Sequence, residues 1–223
     1  MSILSIENIN HAYHSESDRK TNVLNSLSFQ VDENGIYTIH GKSGSGKSTL
    51  LKIMGGMLRP TSGKILFENT DIWSLSERAL TAYRANSIGF VFQEYALIPE
   101  LTVEQNILLP LHFLRREVNS AVYHDLIERL ELKDRLRYYP NQISGGEKQR
   151  TSIARALIKQ PSVILADEPT GNLDQELSAE VMNYFSDSVR YMGCTSIVVT
   201  HDEAWQSVSD KVFHLVNGKL ILR

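Results

Sequence analysis

One short segment combines glycines, hydroxyl side chains and a lysine in a spacing that suits an anion. Residues 41–49 read G-K-S-G-S-G-K-S-T, between the apolar run 35–40 and a helical pattern that begins near Lys47. The glycines let the backbone curl so that successive N–H groups face one point, which the positive end of the helix also faces. This order of strand, loop and helix predicts a P-loop, a phosphate cradle.

The P-loop assigns a role to each polar side chain of the segment. Lys47 is expected to reach the β- and γ-phosphates, Ser48 to ligate Mg²⁺ and Thr49 to contact the α-phosphate. The alternative is a flexible turn rich in glycine and serine, which a complete motif in its strand and helix context disfavours. The expected nucleotide-binding residues here are Gly41, Ser43, Gly44, Ser45, Gly46, Lys47, Ser48 and Thr49.

Two adjacent carboxylates follow a second apolar run. Residues 163–168 read V-I-L-A-D-E. In a P-loop protein an aspartate after such a strand completes the Mg²⁺ shell, and Asp167 fits that role. Glu168 would then lie beside the γ-phosphate and polarise the attacking water as a general base. A solvated acidic turn is the alternative, and the P-loop makes it the weaker one.

A second anion site is predicted where residues 143–150 read I-S-G-G-E-K-Q-R. Ser144 offers a hydroxyl, and Gly145 and Gly146 open a helix whose exposed N–H groups favour negative charge. One nucleotide does not need two cradles. We therefore expect this surface to meet the γ-phosphate of ATP held by another copy of the chain, as a homodimer.

This stretch resembles the L-S-G-G-Q signature of the ABC ATPase family, and the resemblance covers nearly the whole chain. It implies an ATPase that binds ATP and Mg²⁺. Tyr13 resembles the aromatic residue that stacks on adenine, and Gln93 the residue that senses Mg²⁺ and the attacking water. Asp174 resembles the aspartate that crosses the dimer interface, and His201 the histidine that holds the γ-phosphate. By the same resemblance the catalytic set is Glu168, His201, Gln93 and Lys47, and the metal set is Ser48, Gln93 and Asp167.

Each residue assigned by resemblance also has a simpler interpretation. Tyr13 could cover a sheet edge, Gln93 could cap a strand end, and His201 could be structural. Asp174 could cap the helix that begins at 175, and could do so while also crossing an interface. Their shared order along the chain with the P-loop and the carboxylates favours the functional interpretation.

The elements that must position these residues alternate between strands and helices. Strand patterns occupy residues 2–9, 23–31, 35–40, 63–68, 87–92, 162–167, 195–200 and 211–216; helical patterns occupy 47–57, 102–116, 120–131, 145–158 and 175–192. Strands that are apolar throughout indicate a parallel sheet covered on both faces. We predict an α/β fold with a P-loop core, an antiparallel β subdomain, and a helical insert over about 94–145, all in one domain spanning 1–223. The polar stretch 14–22 is expected to be a surface loop.

Composition limits the partners. Of 223 residues, 23 are Lys or Arg and 26 are Asp or Glu, so no excess of positive charge favours nucleic acid. One cysteine, Cys194, permits no internal disulfide and suits the cytoplasm. We find no signal peptide and no apolar run long enough for direct membrane insertion. Membrane contact is therefore expected through a partner.

Two further segments resemble one branch of the ABC family. Residues 165–174, L-A-D-E-P-T-G-N-L-D, and the apolar segment at 97–111 are similar to lipoprotein-release, macrolide-efflux and cell-division ATPases and to related heme or antimicrobial-peptide exporters. The resemblance implies a peripheral subunit on the cytoplasmic face of the membrane, which powers a permease with transmembrane helices. Candidate docking residues on the insert, most of which could equally belong to the core, are Tyr95, Leu97, Ile98, Leu101, Leu108 and Leu111. Two departures from the family pattern, His40 and Lys42, flank the first glycine of the P-loop.

Two other functions stay open at this stage. A regulatory ATPase that signals through a membrane partner without moving a substrate shares every motif above. A soluble P-loop enzyme, such as a kinase or a DNA-repair ATPase, is disfavoured. The Ser-Gly-Gly cradle argues against a kinase, and the absence of a long coiled-coil insertion and of surplus basic charge argues against DNA repair.

Overall fold

The strands form two sheets of different character. The computed structural model describes residues 2–14 and 20–222. Its strands are β1 (Ser2–His14), β2 (Lys20–Asp32), β3 (Ile36–His40), β4 (Ser62–Phe67), β5 (Thr70–Asp71), β6 (Ile88–Val91), β7 (Val163–Asp167), β8 (Thr195–Thr200), β9 (Lys211–Val216) and β10 (Lys219–Leu222). Within these residues, an antiparallel sheet has the order β2-β1-β4-β5, and a second sheet has the order β10-β9-β3-β8-β7-β6. The second sheet is parallel except at β10. The predicted parallel core with a separate antiparallel part is confirmed.

Two of the differences from the predicted strands have local causes. Residues 14 and 20–22 of the predicted loop lie in β1 and β2, because backbone pairing such as Ala12 with Asn22 does not require apolar side chains; residues 15–19 lie outside the described part of the chain. Strand β10 was not predicted. It forms a hairpin with β9 through Asn217 and Gly218, both with positive φ, which is the turn that an Asn-Gly pair favours.

The helices follow the predicted pattern with one addition. They are α1 (Lys47–Met54), α2 (Glu77–Ser87), α3 (Val103–Leu114), α4 (Ser120–Arg129), α5 (Gly145–Leu157) and α6 (Gln175–Tyr191). Helix α2 was missed because it buries only Leu80 and Tyr83 and otherwise reads as polar. Its start is marked by Ser76, whose hydroxyl accepts a hydrogen bond from the N–H of Ala79. Helix α6 stops before Gly193, which adopts φ +62° as expected of a glycine that ends a helix.

The parallel sheet separates two apolar cores. Val163 and Leu165 of β7 point into a core shared with the antiparallel sheet, α1 and α2. Ile164 and Ala166 of the same strand point into a core shared with α3, α4, α5 and α6. All four side chains are fully buried. Alternating side chains therefore explain the continuous apolar run: each face of the strand has its own layer to pack against.

The predicted insert over 94–145 contains α3 and α4, whose apolar residues join the core formed with α5 and α6. Of the candidate docking residues, most of which could equally be core, Leu111 is buried in that core. Ile98 is exposed, and Leu108 packs partly against the core. No helix in the described ranges has the length and apolarity needed to cross a bilayer. The single-domain boundary stays a prediction.

The helical core should carry much of the free energy of unfolding. Phe185 on α6 is fully buried and packs edge-on against Trp205. We expect Phe185→Ala to lower the free energy of unfolding by about 3–5 kcal/mol, because it removes apolar contacts and leaves a cavity. Urea denaturation measures this change. Phe113→Ala, at a side chain that is 76% exposed, is the matched control and should change little.

Candidate active site

The predicted site residues meet at the carboxyl edge of the parallel sheet. The glycine-rich loop follows β3, the two carboxylates end β7, His201 follows β8, and Gln93 follows β6. These strands lie side by side, so their exits open on the same edge. A cleft of about 720 Å³ lies there. It is lined by Tyr13, Val23, Lys42, Ser43, Gly44, Gly46, Lys47, Ser48, Thr49, Gln93, Asp167, Glu168 and His201.

The loop of the cradle depends on two glycines with left-handed backbone. Gly44 has φ +76° and Gly46 has φ +101°. A Cβ on Gly46 would lie 2.6 Å from Cγ1 of Val23, so no side chain fits there. Helix α1 begins immediately afterwards, at Lys47. The predicted strand, loop and helix are therefore present, with the N-terminus of α1 at the cleft.

Lys47 lies almost fully buried at the base of the cleft. Its Nζ donates hydrogen bonds to the carbonyl oxygens of Gly41, at 2.7 Å, and Lys42, at 3.3 Å. The same atom lies 3.3 Å from Oε1 of Glu168. The Lys47 cation has one carboxylate partner and two carbonyl acceptors. It lies where it can bind an anionic phosphate.

The side chains of Ser48 and Asp167 form a hydrogen bond in the cleft. Oγ of Ser48 donates to Oδ1 of Asp167 at 2.9 Å. Burial raises the pKa of the Asp167 carboxyl, and the hydrogen bond from Ser48 only partly offsets this. The two side chains offer hard oxygen atoms, and a nearby cation would relieve the cost of burying the charge.

Glu168 is held by several donors from the end of β8. Its Oε2 accepts hydrogen bonds from Oγ1 of Thr200 (2.9 Å), from the backbone N of His201 (3.2 Å) and, within hydrogen-bond distance, faces Nδ1 of His201 (3.0 Å). Burial raises the pKa of Glu168, but the bonds from His201 and Thr200 and the charge of Lys47 lower it more, so the net pKa is below its usual value. Glu168 is therefore ionised at neutral pH. Its backbone φ of +45° is left-handed, a strained conformation typical of functional positions.

Gln93 is paired with a residue that sequence analysis did not single out. Nε2 of Gln93 donates to Oδ1 of Asn172 at 3.1 Å, and Nδ2 of Asn172 donates to the backbone O of Gln93 at 2.8 Å. Thr200, which holds Glu168, was missed in the same way. Both lie next to motif residues, Asn172 within G-N-L-D and Thr200 directly before His201. That adjacency was the available signal.

Tyr13 borders the cleft from the antiparallel sheet. Its hydroxyl lies 3.2 Å from Oγ1 of Thr49, and its ring meets His11 edge-on at 4.8 Å. Tyr13 is 46% exposed at the border of the cleft. The structure thus places Tyr13 beside the cradle; stacking on adenine stays a prediction.

The Ser-Gly-Gly segment is built as expected but lies outside the cleft lining. Ser144 caps α5: its Oγ accepts from the N–H of Glu147, and the Glu147 carboxylate accepts from the N–H of Ser144 at 2.7 Å. Arg135 holds the other carboxylate oxygen of Glu147 at 2.6 Å. This reciprocal capping box leaves the start of α5 ordered.

Several predicted residues are not brought to the cleft within one chain. Asp174 caps α6, since its Oδ1 accepts from the N–H of Leu177 at 3.0 Å, and its place at a dimer interface stays a prediction. Gly41 and Ser45 belong to the loop but face its other side. The predicted residues absent from the described cleft lining are Gly41, Ser45, Ser144, Gly145, Gly146 and Asp174. One chain therefore has the P-loop cradle in its cleft and the Ser144 cradle outside that cleft.

The unusual His40 lies directly behind the cradle. It is only 4% exposed, its ring nitrogens have no hydrogen-bond partner in the described structure, and its ring stacks on His214 at 5.5 Å. Burial lowers the pKa of His40, and the neighbouring His214 lowers it further. The acidic groups that oppose this shift are Glu203, Asp202 and Glu168.

Comparison with known proteins gives one consistent family. Residues 24–171 match the model for "ABC transporter". The chain is 38% identical to the ABC transporter ATP-binding protein YtrE of Bacillus subtilis (98% of this chain, 96% of the relative). It is 40% identical to the lipoprotein-releasing system ATP-binding protein LolD of Geobacter metallireducens (99% and 98%). Among solved structures, the dimeric bacterial ABC transporter cassette MJ0796 matches with a TM-score of 0.86 and 34% identity (97% and 96%). A dimeric post-hydrolysis state of that cassette with ADP and Pi matches equally well.

The buried histidine predicts a dependence of stability on pH. The pKa of His40 is below 6.5 in the folded chain and near 6.5 in the unfolded chain, so the unfolded chain binds more protons as the pH falls below 6.5. This favours unfolding in acid. We expect His40→Val to lose less free energy of unfolding than the wild type between pH 7 and pH 5, measured by urea denaturation. The exposed control His112→Gln should follow the wild-type profile; equal slopes for all three proteins would contradict the assignment.

Proposed function

The chain belongs to the ABC transporter ATP-binding family, and from that membership we propose a specific cycle: two copies close around two MgATP and thereby drive a separate membrane permease. The observation that carries the proposal is the division of the site. The cleft contains the cradle and the carboxylates, whereas the Ser144 cradle lies outside it on the same chain. Two chains facing each other would complete two equal sites.

In the proposed site each described group has a role toward ATP. Backbone N–H groups of the loop and Nζ of Lys47 hold the β- and γ-phosphates. Thr49 lies beside the α-phosphate, and the exposed side chain of Tyr13 receives the adenine. Lys47 exchanges its present carbonyl partners for phosphate oxygens, which keep the buried cation satisfied.

The same site suits Mg²⁺. Hydroxyl and carboxylate oxygens are ligands that Mg²⁺ prefers, and Ser48 and Asp167 already meet at 2.9 Å. Gln93 supplies an amide oxygen from the opposite side of the cleft. Bound there, Mg²⁺ would neutralise charge that develops on the transferring phosphoryl group.

Glu168 is the proposed general base. Its depressed pKa keeps the carboxylate ionised, so it can accept a proton as a water oxygen attacks the γ-phosphorus and the bond to the β-phosphate oxygen breaks. His201 holds the carboxylate through both its backbone and its ring, and we propose that it also contacts the γ-phosphate. The products are ADP and inorganic phosphate, with the released proton first held on Glu168.

The second cradle is proposed to act on the partner's ATP. Ser144, Gly145 and Gly146 present a hydroxyl and a helix N-terminus, and both favour the γ-phosphate. MJ0796, which is similar over nearly its whole length, forms a dimeric cassette. Asp174 would lie at the same interface while it caps α6.

The membrane partner is proposed from relatives of the same length. Several LolD proteins, named for a lipoprotein-releasing system, cover almost this whole chain. We propose a permease with transmembrane helices that docks on the helical insert near the exposed Ile98, with the chain on the cytoplasmic face of the membrane. Transport by a mechanical stroke is the primary proposal, and regulation without cargo is an outcome that the next experiment can reveal.

The proposed base gives a direct test. Glu168→Gln should hydrolyse ATP about 10²–10⁴-fold more slowly than the wild type while it still binds ATP, because the amide cannot accept the proton. We would add this variant to native membranes with MgATP, purify it by affinity and identify what comes with it. Lys47→Ala, which should bind ATP poorly, is the control.

The outcomes of this test differ clearly. A co-purifying permease that is absent with Lys47→Ala supports the proposed machine. A soluble ATP-bound homodimer alone would argue against stable coupling to a permease and favour a regulatory partner. Wild-type turnover by Glu168→Gln would remove Glu168 from the role of base.

The metal assignment predicts a change in how ATP binding depends on Mg²⁺. We expect Mg²⁺ to tighten ATP binding to the wild type, and we expect Asp167→Asn to lose most of that gain because a neutral amide is a weaker ligand. Calorimetric titration with ATP, with and without Mg²⁺, measures this. The exposed Asp187→Asn serves as the matched control. An unchanged Mg²⁺ effect in Asp167→Asn would contradict the assignment.

A further inference from the structure

Helix α5 carries a half-buried cation, Arg155, near the end opposite its Ser144 cap. Nη2 of Arg155 donates to the backbone O of Tyr95 at 2.7 Å, and Nη1 donates to the backbone O of Ala96 at 2.5 Å. Nη2 also lies 3.5 Å from Oγ of Ser152. Within the described residues, no carboxylate forms an ion pair with this guanidinium. Burial lowers its pKa, so the two carbonyl oxygens are its principal compensation.

The two carbonyl groups belong to an unusual turn. Tyr95 has φ +60° and Ala96 has φ +49°, so two consecutive residues with a Cβ adopt the left-handed conformation. This conformation is unfavourable for both of them, and it persists only where neighbouring groups enforce it. Two hydrogen bonds from Arg155 act on the backbone of the turn from helix α5. These two hydrogen bonds stabilise the present orientation of both carbonyl groups. A turn that relaxed to another conformation would lose the bonds.

The turn also connects two parts of the proposed site. It begins two residues after Gln93, and the N–H of Tyr95 bonds back to the O of Phe92 at 3.2 Å. The side chain of Tyr95 reaches the start of α5, where its hydroxyl would lie 3.2 Å from a Cβ built on Gly145. The segment after Gln93 is therefore tied to both ends of the helix that Ser144 begins.

We propose that Arg155 is a positioning residue that holds the Tyr95–Ala96 turn in its left-handed form and so fixes Gln93 relative to the Ser144 cradle. This rests on the proposed function, in which Gln93 serves the ATP of its own chain and Ser144 serves the ATP of the partner. Arg155 then makes the two groups move as one unit. Binding of ATP at one site therefore affects the other site, because helix α5 and the Tyr95–Ala96 turn link Gln93 to Ser144.

The test combines the loss of the cation with relief of the strained turn. Arg155→Met keeps an unbranched side chain of similar length but donates no hydrogen bond. We expect it to lower the kcat for ATP hydrolysis about 10-fold while the affinity of the separate chain for ATP stays within about 2-fold, because the cradle itself is intact. Arg78→Met, at an exposed arginine on α2, is the control and should keep the wild-type rate.

The variant Ala96→Gly distinguishes a positioning role of Arg155 from a merely structural one. A glycine adopts positive φ without a steric penalty, so Ala96→Gly should restore a large part of the kcat that Arg155→Met loses. Ala121→Gly, at an exposed residue of α4, should restore nothing. The two changes are compared in the same Arg155→Met background.

A double-mutant cycle with Gln93 completes the experiment. If Arg155 acts through Gln93, Arg155→Met should lower the kcat of a Gln93→Ala protein by less than about 2-fold, because the positioned group is already absent. Independent, multiplicative losses would overturn the proposal, and so would equal rescue by Ala121→Gly. If Arg155→Met does not fold, Arg155→Lys takes its place in the same cycle, since it keeps the cation but donates to fewer carbonyl groups. These outcomes test the role of Arg155 alone. The proposed function stands as long as the wild-type protein hydrolyses ATP.

Discussion

The site depends on one constraint: parallel strands that lie side by side must end at one edge, and both faces of their sheet must be covered. Two apolar layers meet this constraint, one formed with the antiparallel sheet and one formed with the helices. The polar groups that follow β3, β6, β7 and β8 are then forced together although they are far apart in the sequence. The chemistry is local to that edge, whereas its placement is a property of the whole sheet.

Two neighbouring carboxylates at that edge have different hydrogen-bond partners and different pKa values. Asp167 points toward the hydroxyl of Ser48, and burial dominates its pKa, which rises. Glu168 adopts a left-handed backbone, turns toward Thr200 and His201, and has a lowered pKa. Because the backbone turns between them, two adjacent carboxylates have different partners and their pKa values move in opposite directions.

The sequence reveals the residues that obey a spacing rule and conceals those that act through tertiary contacts. The cradle, the carboxylates and the alternation of strands and helices follow from local patterns, and all are present. Asn172 and Arg155 could not be assigned, because their partners lie 79 and about 60 residues away in the chain. The place of Leu111 could not be decided, because an apolar residue on a helix looks the same from the sequence whether it meets a partner or a core. Helix α2 was missed because polarity hid its short buried face.

The capping box at the start of α5 has a consequence for association. Ser144, Glu147 and Arg135 already fix this segment within a single chain. A binding surface that is ordered before contact loses little conformational entropy when a second molecule arrives. The affinity between copies can then be set by the charge of the ligand that fills the gap rather than by folding of the interface. In the proposed dimer such a surface would hold its partner firmly while a triphosphate bridges the two copies, and weakly once the bridging charge is removed.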